Sequence, residues 1–184
     1  EGKESFGKDN VDQINRRNEV TATYQKKFKD KNKKLEFKGA YTNFNNDFGQ
    51  DSRTLQPETT AMKPVLKNGS NQDVFNARVD YAQPVKILDE GKVSVGAYYD
   101  QVNFTADSFG LRNLDYKSKT TAFYSEASAT KGKMDFVIGL RGEYYNIDGT
   151  SLNLKTKSTD KLIPFDQFKV FPNASFQYNI VPKM

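Results

Sequence analysis

The side chains able to do chemistry in this 184-residue sequence are carboxylates, amides, hydroxyls and lysines, because it contains no His, no Cys and no Trp. That composition removes the imidazole and thiolate ligands that usually hold transition metals, and any Cys or His pairing of nucleophile with base. Asp80, Asp100, Glu126 and Glu143 fall on one face of extended segments, and two carboxylates about 5–9 Å apart are the apparatus of glycoside hydrolysis. No acid/base motif accompanies them, so paired surface charge is the simpler account and no catalytic residue is expected. Asn45-Asn-Asp-Phe-Gly-Gln-Asp51 gathers oxygen ligands around a glycine but departs from the EF-hand pattern, and a solvated loop is expected without metal or cofactor. Lys26-Lys-Phe-Lys-Asp-Lys-Asn-Lys-Lys34 sits on a predicted tight turn with no aromatic stacking platform beside it, so nucleic acid is not an expected partner despite the net charge of +5. Asn68-Gly-Ser, Asn103-Phe-Thr and Asn173-Ala-Ser match a glycosylation sequon too short to carry weight.

The elements that would position these groups are strands. Only 36% of residues are apolar, and no window approaches the roughly 20 consecutive apolar residues of a membrane-spanning helix. Period two is plain from Asp135 to Ile147, where Phe136, Ile138, Leu140, Gly142 and Tyr144 alternate with Val137, Gly139, Arg141, Glu143 and Tyr145. The same split recurs over Val93 to Asp100 and over Phe168 to Ile180, with Pro172 predicting a bulge or break in the latter. Glu19 to Phe28, Leu35 to Phe44, Phe75 to Val85 and Thr120 to Ala129 are rich in Tyr, Phe, Val and Thr and complete a set of about seven strands.

The connections alternate in length. Lys29 to Lys34, Lys86 to Lys92 and Thr130 to Lys133 read as short turns, whereas 45–74, 105–119 and 148–167 read as long polar loops, with 1–17 a polar loop ahead of the first strand. Loops of that length at every second connection must project from one end of a meander, the anatomy of an outer-membrane barrel with short periplasmic turns and long extracellular loops. Seven strands start and stop at opposite ends, as an excised stretch of barrel would. A strand in Phe6 to Arg16 would repair the parity, but Gly7 to Asn10 and the polar run through Asn18 argue against it.

Phe136-Val-Ile-Gly-Leu-Arg-Gly-Glu-Tyr-Tyr145, followed after a loop by Phe168-Lys-Val-Phe-Pro-Asn-Ala-Ser-Phe-Gln-Tyr178, resembles the barrel of TonB-dependent receptors and related outer membrane protein β-barrels of the Bacteroidetes type. Phe75-Asn-Ala-Arg-Val-Asp-Tyr-Ala-Gln-Pro84 and Gly91-Lys-Val-Ser-Val-Gly-Ala-Tyr98 stand upstream in the order that family has. The resemblance implies an all-β antiparallel up-and-down meander forming part of a transmembrane β-barrel of 22 strands in the cell outer membrane. In the full-length protein a plug domain and TonB would be its partners, and an unknown small ligand, a siderophore, a glycan or similar, its cargo. No ligand-contacting residue carries over, and no cofactor is implied. Under that reading the rows Phe136, Ile138, Leu140 and Val93, Val95, Ala97 face lipid, with Tyr99, Tyr144 and Tyr178 as interfacial girdle. Arg78, Asp80, Asp100, Glu126, Arg141 and Glu143 face the lumen and are expected to pair across strands. The alternative is a soluble β-sandwich or small β-barrel that binds a ligand through the same loops, its apolar rows forming a core.

Overall fold

The computed structural model describes residues 6–30, 33–55, 60–62 and 66–180. Among these described residues nine strands form one antiparallel sheet: β1 (Phe6–Lys27), β2 (Lys34–Leu55), β3 (Thr60–Met62), β4 (Leu66–Val85), β5 (Glu90–Ser108), β6 (Arg112–Lys131), β7 (Met134–Asn153), β8 (Ser158–Lys161) and β9 (Phe165–Tyr178). Neighbours in sequence are neighbours in the sheet, except that β3 is a short return against the end of β2, and β8 and β9 lie end to end along the same edge of β7. Seven positions across the sheet are thus filled, matching the predicted meander. No helix long and apolar enough to cross a membrane is present among the described residues.

The strands are far longer than the sequence pattern implied. The predicted loop 105–119 is the top of β5 and β6 joined by three residues, Phe109 and Gly110 taking φ of 51° and 62°. The predicted loop 45–74 is largely β2 and β4, and 148–167 is the end of β7 plus β8, joined by a four-residue turn in which Asn153 Oδ1 accepts from the amides of Lys155 and Thr156. Within 1–17, residues 6–17 belong to β1 and pair continuously with β2; they extend the first strand and add no eighth. Period two is lost where both faces are polar, but the backbone ladder continues, pairing the N–H and C=O groups that face a neighbouring strand and that a loop would leave to water. Pro172 does not break β9, where it lies opposite Leu140 with no described strand on its other side. The break falls at Pro164 instead, where Leu162 N–H reaches Gly149 O (2.9 Å) and the register between β8 and β9 shifts by one residue.

A soluble sandwich is overturned by the packing. There is one layer and no second sheet among the described residues. Ala122 is the only buried hydrophobic residue described, while Phe123 (68% exposed), Ile138 (66%) and Phe168 (64%) stand out from one face. A contiguous face of large apolar side chains is not stable against water and requires a non-aqueous surround.

Candidate functional site: a two-faced membrane wall

The registers decide what shares a face. Leu140 lies opposite Ser125 on β6 and Pro172 on β9; Ser125 lies opposite Val95, and Val95 opposite Tyr81. Following those pairings, every apolar row predicted to face lipid falls on one face, and Arg78, Asp80, Asp100, Glu126, Arg141 and Glu143 all fall on the other.

On the apolar face two aromatic rings bound the band. The upper ring is Tyr41, Phe75, Tyr99, Tyr144 and Phe168, with Phe75 and Tyr99 centroids 6.2 Å apart. The lower ring is Tyr24, Tyr81, Phe136, Phe176 and Tyr178, with Phe136 and Phe176 at 5.3 Å. Between them lie Val20, Val79, Val95, Ala97, Phe123, Ile138, Leu140 and Val170. Tyrosine hydroxyls point outward from both edges. Tyr41 donates to Asp73 Oδ1 (2.6 Å) and Tyr99 to Gln101 Oε1 (2.8 Å) above, while Tyr81 donates to Gln83 below. That is the orientation of amphipathic rings at two membrane–water interfaces. Eight residue steps from Phe136 to Tyr144, at about 3.3 Å each and a tilt near 40°, give a band roughly 20 Å high, close to the ~25 Å of outer-membrane barrels. The girdle expectation holds for Tyr99 and Tyr144 on the upper ring and Tyr178 on the lower.

Above the upper ring both faces are polar. On the former apolar face, Asn43 donates to Asn71 and to Asp73 (both 2.8 Å), and Asn71 donates to Asp73 (3.0 Å). Asp73 is held below the usual carboxylate pKa, first by the Tyr41 hydroxyl and then by Asn43, with partial burial opposing. The segment Asn45 to Asp51, whose oxygens departed from the EF-hand pattern and which was expected to be a solvated loop, is strand: Asn45, Asp47 and Gly49 point to one face, Asn46 and Phe48 to the other. Alternation separates oxygens that an ion would need together.

The polar face inside the band carries the ion pairs, but not as expected. Arg78 binds Asp80 through Nε (2.7 Å) and Nη2 (2.9 Å), and Arg141 binds Glu143 (Nε 3.0 Å, Nη2 2.9 Å), each along its own strand. Cross-strand pairing fails because the registers set Arg78 opposite Tyr98 and Arg141 opposite Tyr124. Tyrosines make the lateral connections instead: both guanidiniums lie over the Tyr124 ring, at 5.3 and 5.8 Å, and Arg141 also lies over Tyr98 at 5.8 Å. Tyr124 on β6 donates to Asp80 on β4, passing over β5 at Gly96, where a Cβ would overlap the Tyr124 ring. Gly96 is therefore required by a close approach. Asp100 accepts from Tyr98 (3.2 Å), and Glu126 lines a groove of ≈ 420 Å³ with Glu36, Arg78, Asp80 and Tyr124. Higher on this face, Arg17, Phe44, Gln72, Phe104 and Tyr116 form one cross-sheet row, Arg17 lying 5.1 Å over Phe44. Neither Tyr124 nor this row was singled out from sequence; an isolated Gly96 within a strand pattern and the even spacing of Val102 and Phe104 beyond Asp100 were the available signals.

A wall with one lipid face, one polar face and two interfacial rings is what a barrel sheet presents. The comparisons agree. Among solved structures, the crystal structure of the ferric citrate transporter FecA in the unliganded form matches with a TM-score of 0.65 and 17% identity, over 92% of this chain and 26% of that one. The chain thus spans about a quarter of the length of that transporter, and the likeness is one of fold. No curated protein matches. The family model for the outer membrane protein beta-barrel family matches residues 26–184, so the chain belongs to that family and its place is the cell outer membrane.

Proposed function

We propose that this chain is one segment of the wall of a TonB-dependent receptor that takes up a nutrient, a siderophore, a glycan or similar, with a plug domain and TonB as partners of the whole protein. The observation that carries the reading is the overhang. Strands continue past the upper ring by about nine residues on β5, roughly 20 Å along the membrane normal at a ~40° tilt, but past the lower-ring residues Tyr24, Tyr81, Phe136 and Tyr178 by no more than four. Long projections mark the extracellular end of outer-membrane barrels and short turns the periplasmic end. The row Arg17, Phe44, Gln72, Phe104 and Tyr116 then faces the extracellular vestibule, where rings and an amide can hold a ligand before passage. The segment's own work is passive: it isolates a polar lumen from lipid and carries the vestibule surface.

Uptake of labelled ferric siderophores and oligosaccharides by cells, with and without a protonophore, tests the proposal. Energised uptake that Phe104→Ala weakens at unchanged membrane level is expected. Energy-independent permeation of small solutes through the native protein would replace the receptor by a passive pore.

A further inference from the structure

The short-turn end of the sheet is basic. Across the three short connections, 26–34, 85–92 and 129–135, the described residues include nine lysines and four carboxylates. Among those carboxylates, Asp89 accepts from the Gly132 amide (2.7 Å), and Asp135 accepts from Thr130 (2.7 Å) and Asn179 (2.8 Å). At the first turn the cations are organised rather than scattered. Lys26 Nζ lies 5.4 Å over the Phe28 ring, and Lys33 Nζ lies 5.0 Å over Phe28 and 5.9 Å over Tyr81. Tyr81 belongs to the lower aromatic ring, and Lys26 shares its lipid-side row through Leu35. The ammoniums therefore sit at the depth where headgroup phosphates meet an aromatic girdle, their stems along apolar surface. On the same face beyond the upper ring the charge is mixed, with Asp47, Asp73, Asp107, Asp115 and Asp148 standing among Arg16, Lys67, Lys117 and Lys119, and Asp47 pairs with Arg16.

We propose that Lys26, Phe28, Lys33 and Tyr81 form a seat for the headgroup of an anionic phospholipid in the leaflet at the short-turn side. Two ammoniums held against the same phenyl ring favour a lipid with net negative charge over a zwitterionic one, whose own choline or ethanolamine cation competes for its phosphate. The rings hold the glyceryl region and fix the lysine stems. The seat requires only that the apolar band lie in a bilayer, which family membership supplies, so it stands or falls independently of the transport role.

Native mass spectrometry of the detergent-purified protein, titrated with equal amounts of phosphatidylglycerol and phosphatidylcholine, tests this. The native protein should retain phosphatidylglycerol preferentially, by roughly 5-fold for each seated lysine at low salt, and the preference should erode as salt rises. Lys26→Gln/Lys33→Gln should bring it close to one, while Lys117→Gln/Lys119→Gln at the other end leaves it unchanged; a heat-shift on gel electrophoresis shows that both variants fold. Equal retention of the two lipids by the native protein overturns the proposal, as does a preference that survives in the double variant. Recovery of an acidic protein held through the same lysines, without any phosphatidylglycerol preference, also overturns it and makes the turn a protein contact.

Discussion

Replacing Leu140 by arginine sets a guanidinium at the centre of the apolar band, four residues from Phe136 in the lower ring and four from Tyr144 in the upper. Leu140 is half exposed on the lipid face, between Ile138 and Gly142 on its own strand and opposite Ser125 and Pro172. An arginine at the midplane of a barrel's lipid face costs about 2–4 kcal/mol. Losing the leucine surface from lipid adds about 1–2 kcal/mol, since only the exposed half of the side chain meets it. Leu140→Arg should therefore destabilise by about 3–6 kcal/mol, although Arg141, its neighbour on the polar face, is native. The matched control is Ser94→Arg. Ser94 lies on the polar face, directly opposite Glu126, so a new arginine finds a carboxylate and water, and the change should stay within about 1 kcal/mol of native. Urea unfolding in lipid vesicles, followed by loss of the folded band on unheated gels, measures both. Equal costs for the two variants, or a larger cost for Ser94→Arg, would refute the assignment of faces.

Other outcomes follow from single features. Gly96→Val should cost about 1–3 kcal/mol by pushing the Tyr124 ring off Asp80, Tyr124→Phe about 0.5–3 kcal/mol through the lost bond to a charged acceptor, and the double variant less than the sum, all in the same unfolding assay. Gly132, at φ +57° in a two-residue turn with open space around it, should cost about 1–2 kcal/mol on replacement by alanine, from backbone strain alone. Asp73 has a folded pKa below its unfolded value, so its contribution to stability is present above about pH 4 and lost as pH falls through the lowered value. Asp73→Asn should therefore flatten the acid limb of a stability–pH curve and leave the neutral region's slope unchanged.

The sequence exposed the part of the fold that lipid disciplines. Between the two aromatic rings one face must be apolar and the other polar, so period two survives in Phe136 to Tyr144 and Val93 to Tyr99, and strand positions and facing are legible there. Beyond the upper ring both faces meet water, the constraint on side chains lapses, and Asn43, Asn45, Asn71, Asp73, Asn103 and Asp107 look like loop residues although their backbones pair without a gap. The same reason hid residues 6–17 of β1. Lateral contacts were legible by face but not by partner. Arg78, Asp80, Arg141 and Glu143 were placed on the correct side, yet their pairing depends on register, and register depends on turn geometry that the residues alone do not specify. The Tyr124 to Asp80 link spans two strands through the space left by Gly96, a three-body arrangement no local pattern encodes.

These 184 residues contain no cysteine, so single cysteines can be placed along β7 from Asp135 to Asp148, in the native protein in its membrane with any cysteine elsewhere replaced by serine, and each site's accessibility to a water-soluble thiol reagent compared with its quenching by a lipid-borne paramagnetic label. Lipid contact at 136, 138, 140, 142 and 144, reagent access at the positions between them, and access at every position from 146 onward is the expected pattern. Reagent access at Ile138 and Leu140 equal to that at Gly139 and Arg141 would contradict the two-faced wall.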